Sequence, residues 1–148
     1  MTIQDIVALA RAEADKHGFA HVPVMTDSSK RRLGGCCHRG TEILYFTFSA
    51  VLMPLVSDAE ALDTIRHEIA HAKAPDAGHG LMWQAQAIAI GCKPQACSAA
   101  TIDTKLAGYK YTADCACGQH FHGRCRRPSG PTRICSRCKT RINWVQQY

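Results

Sequence analysis

The chain has 148 residues, of which 20% are charged, and a formal net charge of +6. This length suits one compact domain of ordinary size, with a small appendage at most. No apolar run approaches the roughly 18 residues that a membrane-spanning helix needs, and the first residues lack the basic and apolar regions of a secretory signal. We therefore expect an intracellular protein that does not enter membranes.

The first predicted element is a helix over residues 2–17, because Thr2 is a favourable N-cap and Gly18 a favourable helix end. Short strands are expected over residues 19–25 and at Cys36 and Cys37, with a basic turn between them. Residues 42–48 are rich in β-branched and aromatic side chains and give the strongest strand prediction.

A second helix is predicted to begin at Ser57 and to end at Pro75. It contains the sequence His67-Glu68-Ile69-Ala70-His71, which is an HExxH box. Residues four apart share one face of a helix, so both histidines can bind one metal ion while Glu68 lies beside the open coordination position as a general base. This spacing is typical of a zinc hydrolase.

A catalytic zinc ion usually has three protein ligands and a water. After Pro75, residues 76–78 predict a turn, and His79 is the nearest later side chain that can complete the set. No glutamate follows Glu68, so Asp103 is the main carboxylate alternative for the third ligand. It is a weaker candidate than His79. A third helix is expected over residues 80–90, with an inward face of Trp83, Ala87 and Ile90.

The chain has nine cysteines, an odd number that cannot pair completely within one molecule. Two close pairs, Cys115 with Cys117 and Cys135 with Cys138, have the spacing of a structural zinc site with four thiolates. His120 and Cys125 are alternative ligands, and disulfides in place of the metal are the alternative interpretation. Elsewhere, Cys36 and Cys37 are expected in the core, while Cys92 and Cys97 form a loop pair or a further metal or redox element.

Charge is distributed unevenly along the chain. Residues 1–108 carry 10 Lys/Arg and 11 Asp/Glu, for a net −1, whereas residues 109–148 carry 8 Lys/Arg and one Asp, for a net +7. Such a basic segment with interleaved aromatic residues is suited to phosphate contacts and base stacking, although a merely solvated basic surface is the alternative. The candidate nucleic-acid contacts are Arg124, Arg126, Arg127, Arg133, Arg137, Lys139, Arg141 and Trp144.

Residues 63–72, followed by Gly78-His79-Gly80-Leu81-Met82-Trp83, resemble the SprT-like family, which includes the Spartan DNA–protein crosslink proteases. In that family a GHG-x-x-aromatic segment follows the HExxH helix, and its histidine completes the zinc site. The resemblance extends back to Leu33-Gly34-Gly35-Cys36 and to the strand that begins at Glu42, and forward to a C-terminal ribbon. The CxC spacing of Cys115 and Cys117 also resembles ribbons of this family, which favours these two ligands over His120.

The resemblance implies an α+β protein with a zincin-like metalloprotease domain at residues 1–108 and a basic zinc ribbon at residues 109–148. The first domain would contain an N-terminal helix, a short sheet, the HExxH helix and a third-ligand helix. Two Zn²⁺ ions are expected, one catalytic and one structural. The implied partners are DNA, single-stranded or containing junctions, and protein substrates bound or crosslinked to it, which places the protein at the nucleoid or at other DNA.

Two alternatives belong to other functional classes. One is a non-catalytic, zinc-stabilised nucleic-acid-binding protein, which would have no need for Glu68 as a base. The other is a zinc endopeptidase or amidase that acts on cell-wall peptides, which the missing export signal and the basic C-terminal segment disfavour.

Overall fold

The computed structural model describes residues 1–96, 111–123 and 134–146. Within these ranges the chain forms an α+β fold with three helices and two short sheets, as the sequence led us to expect. The chain divides into two compact units, Met1–Thr104 and Lys105–Tyr148. The domain boundary predicted between residues 108 and 109 falls outside the described residues.

The three helices of the first unit are α1, Ile3–Lys16; α2, Asp58–Lys73; and α3, Leu81–Ala89. Capping boxes begin α1 and α2: the Thr2 hydroxyl accepts from the Asp5 backbone N–H, and the Ser57 hydroxyl accepts from the Glu60 backbone N–H. These contacts satisfy N–H groups that lack partners at the start of a helix. Both predicted N-caps are therefore confirmed.

The sheet of the first unit contains β1, Val24–Asp27; β2, Gly34–Arg39; and β3, Glu42–Ser49. The strand order is β1-β3-β2, with β1 parallel and β2 antiparallel to β3. The strand predicted over residues 19–25 is wrong for most of its length. Residues 17–22 instead form turns beyond the end of α1, where the Phe19 N–H bonds the Ala14 carbonyl and the Val22 N–H bonds the Phe19 carbonyl.

The core of the first unit lies between the helices and one face of the sheet. Phe46 and Phe48 of β3 are buried there with Ile65 and Ile69 of α2, and Trp83 of α3 joins the same cluster. Strand β2 lies at an edge of the sheet and packs against α2. This packing brings the HExxH helix against an edge strand.

The second unit has its own sheet, in which β4, Tyr111–Asp114, pairs with both β5, His120–Gly123, and β6, Val145–Gln146. Its core in the described residues is small and consists of Ala113, Cys115, Cys135 and Ile142. Across the described ranges of both units, no helix has the length and apolarity that crossing a bilayer requires.

Candidate metal centres

The imidazoles of His67, His71 and His79 converge on one point. Their Nε2 atoms lie 3.2 Å apart for His67 and His71, and 3.1 Å apart for each of the other two pairs. Three tetrahedral nitrogen ligands at the usual zinc distance would be separated by about 3.3 Å. A triangle of ring nitrogens this tight cannot satisfy every lone pair by mutual hydrogen bonds, whereas one central cation satisfies all three.

The turn between α2 and α3 brings His79 back to the other two histidines. Asp76 and Gly78 both have positive φ, 64° and 53°, which reverses the chain within a few residues of the end of α2. The Gln84 side-chain amide donates to the His79 carbonyl at 3.0 Å and ties this loop to α3. The alternative ligand Asp103 lies outside the described residues.

Trp83 closes the inner side of the histidine cluster. Its ring centroid lies 4.7 Å from those of His67 and His79 and 5.3 Å from that of His71, and its side chain is fully buried. The sequence predicted this residue as part of the helix core, and the structure adds that it contacts all three imidazoles. Because aromatic packing limits ring rotation, the indole helps to hold the imidazoles in place.

Burial sets the protonation state of the two helical histidines. It lowers the pKa of His67 to about 4 and that of His71 to about 4, with neighbouring imidazoles adding to both shifts. Both rings are therefore neutral at physiological pH. Neutral imidazole is the form that binds a metal.

Glu68 follows His67 on α2 and is buried, with only 8% of its surface exposed. Burial raises the pKa of Glu68 to about 7, against the opposing effects of Arg32 and of a hydrogen bond from the Cys36 backbone N–H. That N–H belongs to β2, so the edge strand fixes the carboxylate. A buried acid with a raised pKa is costly, and such groups are concentrated at functional sites.

Gly34 of β2 leaves room for Glu68, a role that the sequence reasoning missed. A Cβ at this position would lie 3.0 Å from the Glu68 Cγ and 3.1 Å from the Phe48 ring. The available signal was the glycine itself, because glycine inside a strand often marks a close approach by another group.

The sequence identifies no oxyanion donor, although a tyrosine or a backbone N–H near the strand at residues 42–48 could serve. Tyr45 is the tyrosine of that strand, and its side chain bonds the Cys37 side chain, its cross-strand partner. Side chains alternate along a strand, so Tyr45 lies on the face opposite Phe46, away from α2. The oxyanion donor near this strand therefore stays a prediction.

The second candidate centre gathers Cys115, Cys117, Cys135 and Cys138, whose sulfur atoms all lie within 4.8 Å of one another. The Cys115 and Cys138 Sγ atoms are 3.3 Å apart, and those of Cys117 and Cys135 are 3.6 Å apart. A disulfide has a sulfur separation of about 2.05 Å, whereas tetrahedral zinc thiolates are separated by about 3.8 Å. These cysteines are free, so the disulfide alternative is wrong for them.

Local hydrogen bonds orient the thiols of this cluster. The Cys138 backbone N–H donates to the Cys135 sulfur, and the Gln119 side-chain oxygen accepts from the same sulfur. The Thr140 hydroxyl lies 2.9 Å from the Cys138 Sγ and 3.4 Å from the Cys115 Sγ. Its hydrogen bonds lower the pKa of Cys115 and lower that of Cys138 to about 6, which favours the thiolate at these two positions. At Cys117 the Gln119 backbone hydrogen bond lowers the pKa, but hydrogen bonds with the neighbouring thiols outweigh it and raise the pKa to about 11.

The remaining candidate ligands lie elsewhere. His120 is outside the cysteine cluster and pairs through Nδ1 with the Asp114 carboxylate, so the structure does not place it as an alternative ligand. Cys92 is buried and bonds the Asp63 backbone carbonyl, while Cys36 is half-buried beside Glu68. Cys97 and Cys125 lie outside the described residues.

The predicted nucleic-acid contacts are only partly described. Arg137, Lys139 and Arg141 are exposed. Trp144 is half-buried and packs edge-on against Phe121, with ring centroids 6.3 Å apart. The other four arginines, at positions 124, 126, 127 and 133, lie outside the described residues.

Comparisons with known proteins add no family to this picture. No protein-family model, curated protein or solved structure matches the chain. Evidence for a function therefore comes from the two clusters of candidate metal ligands and from the buried Glu68, which follows His67 in the sequence.

Proposed function

We propose that the protein is a zinc-dependent metallopeptidase of the SprT-like type. The observation that supports this most strongly is the combination of three converging imidazoles with a buried carboxylate from the next residue of the same helix. Three ligands leave one coordination position open, which catalysis requires and a purely structural site does not. The zincin-like character of the first unit is part of this proposal.

His67, His71 and His79 would hold the catalytic ion, and their converging nitrogens fit it. Zinc supplies Lewis acidity there, since it acidifies a bound water and polarises a carbonyl. Glu68 accepts the proton of the attacking water and returns it to the leaving amine. The Cys36 N–H and the space at Gly34 keep this carboxylate in place.

Strand β2 supplies a place for the substrate chain in this proposal. It has β3 on one side, and its other side is an edge of the sheet in the described part of the molecule. An extended peptide can add to such an edge through main-chain hydrogen bonds. The scissile bond would then lie near Glu68, which β2 itself positions.

The second unit would serve as the DNA tether. We assign a structural zinc to its four cysteines, and the net charge of +7 over residues 109–148 supports attraction to phosphates. Proteins bound or crosslinked to DNA would then meet the active site at high local concentration. The same proposal includes a preference for single-stranded or junction-containing DNA and a location at the nucleoid.

The test uses the zinc-loaded full chain with a DNA-binding protein as substrate, with and without single-stranded DNA. Wild-type protein should cleave the substrate faster with DNA, and Glu68→Gln should lower kcat by about 10²–10⁴-fold, since general-base catalysis contributes that much. Metal content, measured by atomic absorption, should not change.

A matched control is Glu42→Gln, which removes the same charge from an exposed position and should leave cleavage unchanged. DNA binding without cleavage by zinc-loaded wild type would instead support the non-catalytic alternative. Turnover of cell-wall peptides without stimulation by DNA would support the amidase alternative.

A further inference from the structure

Every exposed residue of α3 is apolar, and its two glutamines are half-buried. Leu81, Met82 and Ile88 have 83%, 68% and 64% of their surfaces exposed, and Ala85 and Ala89 are exposed beside them. None of the nine residues of α3 carries a charge. A surface helix normally presents polar residues to water, so a contiguous apolar face of this kind indicates a binding surface.

This surface, which we name the α3 apolar face, follows directly after the loop that carries His79. Leu81 follows His79 by two residues, and the opposite side of the same helix carries Trp83, which packs on all three imidazoles. The helix thus has one side on the candidate active site and the other open to solvent. A chain that leaves the site along α3 would meet Leu81 and Met82 first.

The size and charge of the face restrict what can cover it. A stable dimer interface uses about 20–30 residues on each side, far more than the five side chains exposed here. Nucleic acid binds mainly through phosphate contacts with basic residues, which α3 lacks. A short polypeptide segment with apolar side chains fits both restrictions.

We propose that the α3 apolar face binds apolar side chains of the polypeptide substrate, on one side of the bond that is cut. This inference rests on the proposed function and specifies its substrate class. Folded proteins bury most of their large apolar side chains, so the face would select unfolded or locally unfolded segments rich in Leu, Ile, Met and Phe.

Binding can be measured separately from hydrolysis with the zinc-loaded full chain carrying Glu68→Gln. The probe is a fluorescein-labelled 16-residue peptide of alternating Leu and Ser. The control peptide has Gln in place of each Leu. Fluorescence anisotropy gives Kd for both peptides. Replacing Leu81, Met82 and Ile88 together by Gln should weaken binding of the Leu peptide at least tenfold, because burial of apolar surface is lost.

The Gln peptide should bind weakly to both proteins. The control variant is Met25→Gln, at an exposed apolar residue of β1, which should leave Kd unchanged. All three substituted side chains of α3 are exposed, so folding should be retained, and an unchanged metal content and circular dichroism spectrum verify this.

An unchanged Kd in the triple variant, or an equal loss in Met25→Gln, overturns the inference. So does a change in oligomeric state of the triple variant by light scattering, since that assigns the face to self-association. Failure of the proposed function gives a different result: protein with Glu68 intact hydrolyses nothing, while peptide binding still depends on the α3 apolar face.

Discussion

The histidine cluster and the cysteine cluster each converge on one point, but they differ in ligand number and in surroundings. Three imidazoles would leave one position of a tetrahedral ion open, and the buried Glu68 is the residue after the first of them, whereas four thiols would fill all four positions. In the described residues, the first unit has a core of seventeen buried apolar residues, and the second has four, of which two are cysteine ligands. We therefore expect the first unit to fold without metal and the second unit to need metal in order to fold.

The largest expected effect comes from removing one ligand of each cluster. We predict two zinc ions per chain by atomic absorption, one lost in His67→Ala and the other in Cys135→Ser. Cys135→Ser should also unfold the second unit, because binding of a structural zinc contributes about 10–16 kcal/mol and so few apolar residues remain to replace it.

His67→Ala should leave the first unit folded, with the near-ultraviolet circular dichroism of its packed core largely retained. Unfolding of the first unit in His67→Ala would contradict the contrast between the two centres. A folded second unit in Cys135→Ser would contradict it as well. Chemical-shift dispersion of the backbone amides in nuclear magnetic resonance spectra would detect such a folded unit.

A smaller effect is expected at Gly34, the position that makes room for the carboxylate. Gly34→Ala forces the Glu68 Cγ or the Phe48 ring to move, and a displacement of about 1 Å can lower kcat by about 10²-fold. Zinc content should stay at two per chain, because no ligand changes. Steady-state kinetics with a peptide substrate give kcat and KM separately.

Gly35→Ala is the matched control, since it adds the same methyl group to the same strand. Its Cβ meets the Arg32 guanidinium, which bonds Asp27 at 2.7 Å but lies at the end of a long, exposed side chain that can adjust. We expect a loss of less than tenfold. Equal kcat values for the two variants would show that β2 does not position Glu68.

The smallest effect is expected at Arg66, which supports the first unit and belongs to neither centre. Its Nε donates to the Glu13 carboxylate at 2.9 Å, and an Nη atom donates to the Gly91 carbonyl at 3.3 Å. Arg66→Met leaves the half-buried Glu13 without this partner and should lower the free energy of unfolding by about 1–3 kcal/mol. Urea denaturation measures this, with Lys16→Met as the control, because the exposed Lys16 lies 3.7 Å from the same carboxylate and should contribute little.

The pH dependence of this effect has a defined sign. The hydrogen bond from Arg66 lowers the pKa of Glu13 below its ordinary value, so the pair stabilises the folded protein above the unfolded pKa of about 4.3. That stabilisation is lost as the pH falls through the lower folded pKa. The difference between wild type and Arg66→Met should therefore shrink below about pH 4, and a constant difference would contradict the assignment.

The sequence alone determined the features that depend on local spacing. The capping residues Thr2 and Ser57 defined two helix starts, and the four-residue interval between His67 and His71 placed both on one helix face. The CxxC pair at Cys135 and Cys138 likewise follows from a short turn. These predictions succeed because neighbouring residues interact before any long-range contact forms.

Only the tertiary structure decided contacts between distant segments. Because β2 approaches α2, Glu68 is buried and accepts a hydrogen bond from the Cys36 N–H, and a residue without a side chain is needed at Gly34. The spacing of the HExxH box predicts neither contact. Strand pairing placed His120 on Asp114 and excluded it from the cysteine cluster. The physical reason is that burial and pairing depend on which surfaces meet across long stretches of chain, whereas ligand spacing on one helix depends only on its pitch.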